Sequence, residues 1–400
     1  MTSSAPIDLS RSDLLELKEA NERLASEEER KGSPFNHAMP VHLTLETTMT
    51  CSLRCVMCQV YRSPTAMRQG LVGNPVMNVE LFERIAVEAF PTAKAVTPTV
   101  MGEPLQTPFL PRILELLSTY SVRMNMVTNG TLLTREMSRR LLPQVGKIKV
   151  SFDGATKETF ESIRRGSKFE TVVENIRGFD AERRMLGLSE PPLLCLQVTL
   201  MRKNIEELPR IVEMASELGV DEIVGLHVYV FDKAFEPQSL LRHRELSDRM
   251  ITEATKRARD LGIRPHFPAP YSAGAQASSK EIPAVRESTL CKFLWREVWV
   301  SHTGDVTPCC VPDRPVVGSL RTSSLVDAWN SEMYQELRRT VGSKEPFDCC
   351  RHCSLRVQYD PGNYEGYDRD RFLLSQGRTH ISKTMGSKPT NGCPTSVFRS

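Results

Sequence analysis

The sequence predicts an α/β protein whose parallel sheet is covered by helices. From residue 41 onward, short apolar runs typical of strands alternate with longer amphipathic runs typical of helices. Six such β/α units fit into about 190 residues, whereas a closed eight-unit barrel needs about 250. The alternation and the short length together predict an open, partial barrel of six units.

The predicted elements follow one another in regular order. Strands are expected at 41–46, 94–100, 122–128, 147–153, 193–201 and 222–229. Helices are expected between them at 79–90, 108–120, 134–142, 169–186 and 205–218. In barrels of parallel strands the functional side chains gather at the carboxyl ends of the strands. Each of these strand ends is therefore a place where site residues are expected.

Further segments flank the barrel. Residues 9–32 predict a charged helix with a modest apolar stripe, which packs outside the barrel or, alternatively, forms a lid or an oligomer contact. A cysteine-containing module is predicted after the barrel. The expected boundaries are 1–36 for the N-terminal helical extension, 37–235 for the barrel, 236–285 for a connecting helical segment, 286–360 for the module and 361–400 for a tail.

Composition excludes several functional classes. The 400 residues are 40% hydrophobic, enough for a packed core, and the net charge of +3 gives no reason to expect nucleic-acid binding. No apolar run approaches the roughly 18 residues of a membrane span, and the N-terminus lacks an apolar signal core. The 11 cysteines cluster in ligand spacings, so a reducing, cytoplasmic location is expected.

Three closely spaced cysteines follow the first predicted strand. Cys51, Cys55 and Cys58 are separated by three residues and then by two. Three thiolates on one loop can hold a four-iron cluster and leave one iron open for an outside ligand. Zinc is the alternative, although zinc sites usually add a second close cysteine pair. The spacing therefore favours an iron–sulfur cluster.

With this loop directly after the first strand, the chain resembles the radical S-adenosylmethionine (SAM) superfamily. The resemblance implies that Cys51, Cys55 and Cys58 hold a [4Fe–4S] cluster whose open iron binds the amino and carboxylate groups of SAM. It also implies that an electron from the cluster splits SAM, giving a 5′-deoxyadenosyl radical that removes a hydrogen atom from the substrate. A flavodoxin- or ferredoxin-type electron donor is expected.

The second predicted strand leads into Met101-Gly102-Glu103-Pro104. Glycine allows close backbone approach, and a glutamate offers a carboxylate to an ammonium group. The tetrapeptide resembles the GGEP motif of the superfamily, with Met101 in place of the first glycine. The resemblance assigns Gly102, Glu103 and Pro104 to the SAM amino group.

Polar residues also end the later strands, where ordinary strand-to-loop turns are the alternative explanation. The resemblance points to Ser151, then Asp153, as contacts of the SAM ribose or carboxylate, and to Arg202 as a partner of the methionyl carboxylate. His227, near the end of the sixth strand, is a candidate proton acceptor by position, as are Tyr229 and Asp232. A satisfied structural histidine is the alternative for His227.

The C-terminal cysteines form a second group. Cys291 precedes a predicted hairpin that ends at Cys309, and a helix predicted at 324–341 leads to Cys350-Arg-His-Cys353. This order resembles the twitch/SPASM module of radical SAM enzymes. The resemblance makes these four cysteines ligands of one auxiliary [4Fe–4S] cluster. Zinc is the alternative cofactor, and the neighbours Cys310 and Cys349 are alternative ligands.

A fully ligated second cluster suits electron transfer, so oxidation is the first expectation. The expected reaction is dehydrogenation or epimerisation of a small molecule, such as a sugar or aminocyclitol, in specialised biosynthesis. In an epimerase Cys310 would return the hydrogen atom. About forty residues before the barrel are too few for a peptide-recognition domain. Modification of a precursor peptide is the alternative, and a non-catalytic iron–sulfur electron carrier is the second alternative.

Overall fold

The computed structural model describes residues 10–58, 60, 74–187, 191–228, 230, 233–272, 291, 293–310, 314–343 and 345–351. Within these residues, one sheet contains ten strands. They are β1 His42–Leu45, β2 Ala95–Thr97, β3 Arg123–Thr128, β4 Val145–Ser151, β5 Leu193–Leu200, β6 Glu222–His227, β7 Arg264–His266, β8 Glu297–Val300, β9 Asp305–Thr307 and β10 Gly318–Ser319.

The strand order in the sheet is β10-β9-β8-β1-β2-β3-β4-β5-β6-β7. Strands β1 to β7 are parallel to their sequence neighbours, which confirms the predicted series of β/α units and adds a seventh strand. The C-terminal strand β8 returns to the other side of β1 and is also parallel to it. The pairs β8–β9 and β9–β10 are antiparallel, so among these ten strands only β9 runs against the others.

Helices alternate with the strands along the chain. In the described residues they are α1 Arg11–Lys31, α2 Val79–Ala89, α3 Leu110–Thr119, α4 Arg135–Leu141, α5 Lys157–Ile163, α6 Phe169–Met185, α7 Leu208–Glu217, α8 Arg244–Asp260, α9 Phe293–Arg296, α10 Leu325–Trp329, α11 Glu332–Thr340 and α12 Asp348–Arg351. Among these helices, none has both the length and the apolar character needed to cross a bilayer.

One face of the sheet packs under the helices and forms the core. In β4, for example, Ile148 and Val150 are fully buried in the same apolar cluster as Phe179 of α6. Side chains alternate between the two faces of a strand. Residues such as Lys149 and Gln197 therefore project from the opposite face, which we call the inner face and which carries the polar side chains.

The N-terminal helix α1 packs against the barrel, as predicted. Its first turn is closed by a capping box between Ser10 and Asp13. The buried ammonium of Lys18 donates to the carbonyl oxygen of Ala93 at 2.6 Å and to that of Phe90 at the end of α2. Burial lowers the pKa of Lys18 to about 8. These bonds satisfy carbonyl groups that the end of α2 leaves without helical partners.

The structure differs from the prediction at three elements. The helix predicted at 324–341 is two helices, because Ser331 caps a new helix by accepting from the backbone N–H of Tyr334. Helix α5 and strand β7 were not predicted, since seven and three residues are too short for a clear periodic pattern. The proposed domain boundaries remain predictions.

Candidate functional site

The loop that carries Cys51, Cys55 and Cys58 leaves the carboxyl end of β1 and is fastened to the end of α5. The backbone N–H of Arg54 donates to the carbonyl of Arg165 at 2.9 Å, and that of Val56 donates to the carbonyl of Ile163 at 3.0 Å. Two main-chain bonds thus hold the cysteine loop against a fixed element. The loop geometry does not depend on side-chain contacts alone.

Two of the three thiols receive a hydrogen-bond donor. The amide nitrogen of Asn129 lies 3.7 Å from Cys51 Sγ, and Arg164 Nη1 lies 3.8 Å from Cys55 Sγ. Burial raises the pKa of Cys51, and it raises that of Cys55 to about 11. Both thiols interact electrostatically with Cys58. A bound cationic cluster would reverse this effect of burial, because metal binding deprotonates thiols.

The donor set of this loop fits an iron–sulfur cluster. Hydrogen bonds to cluster sulfurs are among the features by which proteins tune such centres. In the part of the chain that the structure describes, no three Cys, His, Asp or Glu side chains are arranged around a single metal ion. The three thiols of the loop, two of which have a hydrogen-bond donor, are the groups that would hold such a cluster.

Glu103 is the most enclosed of the predicted SAM contacts, with an exposed fraction of 1%. Its Oε2 accepts from the backbone N–H of Asn129 at 2.7 Å, and its Oε1 accepts from the Thr128 hydroxyl at 2.6 Å and from the Leu105 N–H at 3.3 Å. Burial raises the pKa of this carboxyl, and the hydrogen bonds oppose the rise. The carboxylate is thus fixed between the ends of β2 and β3.

Gly102 allows the loop before Glu103 to lie against the chain that leaves β1. A Cβ atom at Gly102 would lie 2.3 Å from the carbonyl oxygen of Thr48 and 2.7 Å from that of Thr50. The backbone N–H of Glu103 donates to the same Thr50 oxygen at 2.7 Å. Glycine is therefore required here for close backbone approach.

Glu46 is a site residue that sequence reasoning missed. Its Oε1 accepts from three successive backbone N–H groups, those of Val100 at 3.2 Å, Met101 at 3.0 Å and Gly102 at 3.4 Å. Burial raises the pKa of Glu46 to about 7, against the effect of these bonds and of Arg314. The sequence feature that could have revealed Glu46 is the presence of a glutamate at the end of a buried apolar strand. Glu46 holds the loop where Met101 replaces a glycine.

Asp153 and Arg164 form a buried ion pair beside the cysteine loop. Arg164 Nε lies 2.6 Å from Asp153 Oδ2, and Asp153 Oδ1 accepts from the Thr199 N–H at 2.6 Å. Burial raises the pKa of Asp153, and the charge of Arg164 opposes it. Because Arg164 also reaches Cys55, the pair links the end of β4 to the cysteine loop. In the structure Asp153 thus contacts Arg164 and, through it, the cysteine loop. Its role toward SAM stays a prediction.

The other predicted SAM contacts differ in their placement. Ser151 ends β4 on the inner face and is 6% exposed, close to the fixed loops. Arg202 lies at the surface, where its Nη1 pairs with Glu206 Oε2 at 2.7 Å. Ser151 therefore lies at the carboxyl end of a strand, as the other site residues do. The Arg202 side chain instead lies along the protein surface toward Glu206. Both roles toward SAM stay predictions.

His227 lies on the helix-packed face of β6, which it shares with the buried Ile223. Its Nδ1 is 2.7 Å from the hydroxyl of Tyr271, and the two rings meet edge to face. The inner-face neighbour is Leu226, which is 40% exposed. This position suits a structural histidine better than a proton acceptor, a role that stays a prediction. Tyr229, a second candidate acceptor, lies outside the described residues.

The C-terminal cysteines gather around Tyr334 of α11. The buried phenol lies within electrostatic range of Cys309 and Cys291. Cys350 lies in range of the same two thiols, and a hydrogen bond with Cys349 together with burial raises its pKa. Three predicted auxiliary ligands are thus brought together, and the donor set fits a second cluster. The fourth, Cys353, lies outside the described residues.

The module that carries these cysteines continues the main sheet. Strand β8 pairs with β1 from His42 to Leu45, and the backbone N–H of Glu46 donates to the carbonyl of Val300 at 2.8 Å. Cys310 follows the same hairpin and is partly buried. The cysteine loop and the C-terminal module therefore share one strand pair as their support.

Family comparisons agree with both cysteine groups. Residues 45–188 match the radical SAM superfamily. Residues 291–354 match the SPASM iron–sulfur cluster-binding domain. The chain belongs to the radical SAM superfamily. The radical SAM assignment confirms the predicted cofactors, which are a SAM-binding [4Fe–4S] cluster, an auxiliary [4Fe–4S] cluster and SAM itself.

Three curated relatives of this radical SAM enzyme differ in coverage. A probable GTP 3′,8-cyclase of Metallosphaera sedula is 29% identical over 188 residues, 46% of this chain and 55% of that protein. A PqqA peptide cyclase of Granulibacter bethesdensis is 25% identical over 330 residues, 79% of this chain and 80% of that protein. An AdoMet-dependent heme synthase of Methanosarcina barkeri is 28% identical over 352 residues, 81% and 94% respectively.

A solved structure shares the fold. SuiB of Streptococcus suis, bound to its precursor peptide SuiA, superposes with a TM-score of 0.57 at 15% identity, covering 85% of this chain and 75% of SuiB. At this identity the likeness shows the fold alone. Together with the two domain matches, it confirms the predicted α/β architecture of a radical SAM domain followed by a C-terminal SPASM region.

Proposed function

We propose that this radical SAM enzyme oxidatively modifies a precursor peptide. The observation that carries the proposal is the similarity to a PqqA peptide cyclase, which extends through four-fifths of both chains. That span is much longer than residues 45–188, which match the radical SAM superfamily, so the similarity extends beyond this part of the chain. By contrast, the similarity to the GTP cyclase covers 46% of this chain.

The residues of the chain divide the work between two places. Glu103, fixed by Asn129 and Thr128, presents a carboxylate for the ammonium of SAM. The buried Asp153–Arg164 pair holds the cysteine loop through the contact of Arg164 with Cys55. The cofactors supply the radical that takes a hydrogen atom and an acceptor for the second electron. An oxidation requires an electron acceptor in the enzyme. The auxiliary cysteines would hold one in a module whose strand β8 pairs with β1, the strand before the cysteine loop.

The small metabolite that the sequence first suggested has less support than the peptide. None of the three curated relatives described above is named for a sugar or aminocyclitol. A heme-forming reaction is the second candidate, because the heme synthase aligns over 94% of its own length. Epimerisation and the hydrogen-returning role of Cys310 remain expectations of the sequence.

Product analysis would test the proposal. The reduced enzyme is incubated with SAM and, in separate reactions, with candidate precursor peptides, sugars and tetrapyrroles, and the products are resolved by mass spectrometry. We expect the peptide to lose two hydrogen atoms for each 5′-deoxyadenosine formed. In Cys291→Ala, 5′-deoxyadenosine should still form while the oxidised peptide is lost. An unchanged peptide, together with a sugar or a tetrapyrrole that loses hydrogen under the same conditions, would contradict the peptide assignment.

A further inference from the structure

Lys149 projects from the inner face of the sheet among uncharged neighbours. The flanking residues Ile148 and Val150 are fully buried on the other face, so strand alternation directs the Lys149 side chain inward. Its register partners are Val127 in β3 and Cys195 in β5. Because burial raises the pKa of Cys195 to about 11, both neighbours are neutral at pH 7.

The other inner-face cations nearby already have a carboxylate. Lys147, two residues earlier in β4, pairs with Glu222. Arg264 of β7 pairs with the same carboxylate, with Nη2 3.0 Å from Oε1. Among the described residues, no Asp or Glu lies within ion-pair distance of Lys149, and Glu222 acts on it only at longer range. Glu222 is thus shared by two cations, and among the described residues Lys149 has no carboxylate within ion-pair distance.

An uncompensated, partly buried ammonium group is costly. Burial lowers the pKa of Lys149, which shows that the site disfavours the charge. An apolar side chain of similar length would avoid this penalty. A bound anion would remove it, since a charged hydrogen bond gains most where water is partly excluded.

Lys149 also lies close to the carboxyl ends of the strands, where the site residues gather. It is two residues before Ser151, so its Cα lies about 7 Å below the strand end, at about 3.3 Å per residue. The strand ends carry the fixed carboxylate of Glu103 and the cysteine loop. A group held by Lys149 would therefore lie on the inner face of the sheet, below the loops that carry Glu103 and the three cysteines.

We propose that Lys149 binds a carboxylate of the substrate and that the enzyme therefore selects a carboxylate-bearing substrate. This rests on the proposed function: in a precursor peptide the carboxylate is that of an Asp or Glu side chain near the modified residue. The carboxylate of SAM offers the same chemistry, so the test separates the two sources.

Paired ligands would test the role of Lys149 on the reconstituted, SAM-bound enzyme. N-acetyl-glutamate amide is compared with N-acetyl-glutamine amide, and glucuronate with glucose, by titration calorimetry. We expect the glutamate ligand to bind about tenfold more tightly than the glutamine ligand. Lys149→Met should remove this preference without lowering the melting temperature. Lys147→Met is the matched control, because Lys147 already has a partner, and it should keep the preference.

Each outcome decides the proposal. A preference for glucuronate alone that Lys149→Met removes would support the carboxylate site and contradict the peptide function. A preference that survives Lys149→Met would overturn the role of Lys149 and leave the peptide function intact. No preference for either carboxylate would also overturn it. Weaker SAM affinity in Lys149→Met, with no ligand preference in the wild type, would assign the lysine to the cofactor carboxylate and overturn the substrate role.

Discussion

Two buried carboxylates hold the loop of residues 100–105, which is predicted to contact SAM, and they accept hydrogen bonds from different parts of it. Glu46 takes the backbone N–H groups of the residues before Glu103. Glu103 takes groups from the ends of β2 and β3. The motif with its glutamate could be predicted from the tetrapeptide together with the cysteine loop that precedes it. Glu46 could not, because its partners are backbone groups about 55 residues away in the sequence.

Glu103→Gln should weaken SAM binding by roughly ten- to a hundredfold, since hydrogen bonds to charged groups contribute about 1.5–3 kcal/mol. Both carboxylate oxygens of Glu103 face donors, so the amide nitrogen of glutamine would oppose one of them. Equilibrium dialysis with SAM measures the change, and iron content shows that both clusters remain. Glu115→Gln, on the exposed surface of α3, is the control. Unaltered SAM affinity in the Glu103 variant would show that this loop is only a turn.

The pH dependence of stability should report the burial of Glu46. Its pKa is raised from 4.5 to about 7, so the folded state holds a proton that the unfolded state releases. The contribution of Glu46 to the free energy of unfolding is therefore largest below pH 4.5. It decreases between pH 4.5 and about pH 7, by at most about 3 kcal/mol. Arg314 is the charged group that acts on it. The melting temperature of Glu46→Gln, relative to the wild type, should rise across this window. A constant difference would contradict the buried titration.

At the scale of elements, the strands and long helices were predictable because apolar periodicity records which face is buried. Helix α6, predicted at 169–186, is Phe169–Met185 in the structure. The attachments between loops were not predictable, since they depend on backbone bonds such as Val56 N–H to the carbonyl of Ile163. The face on which His227 lies was equally hard to predict, because a shift of one residue along a strand moves a side chain to the opposite face of the sheet.

The loop at Gly102 packs closely on the chain after β1. Adding a single methyl group there tests whether this packing matters for SAM binding. In Gly102→Ala the new Cβ would overlap the carbonyl oxygens of Thr48 and Thr50, so the loop must move. Overpacking costs about 1–3 kcal/mol, and SAM affinity should fall about five- to a hundredfold. Gly187→Ala is the control, since nothing lies within 4 Å of its Cβ position. It should reduce stability slightly, because its φ is +55°, and leave SAM affinity unchanged. Equal SAM affinity in both variants would contradict the packing argument.

At the scale of the molecule, ten described strands form one sheet that supports both cysteine groups. The sequence predicted the order of the two groups but not their connection. The reason is physical: pairing of β8 with β1 joins residues about 255 positions apart, and sequence periodicity carries no information on such pairing.

Cluster content and SAM cleavage, measured together, test the central claim that this is a two-cluster radical SAM enzyme. The anaerobically reconstituted protein should hold about eight irons per chain, in two four-iron clusters. The variant with Cys51, Cys55 and Cys58 replaced by Ala should keep about half of the iron and form no 5′-deoxyadenosine. Cys291→Ala should also lose iron but still cleave SAM. Formation of 5′-deoxyadenosine by the triple variant would contradict the account.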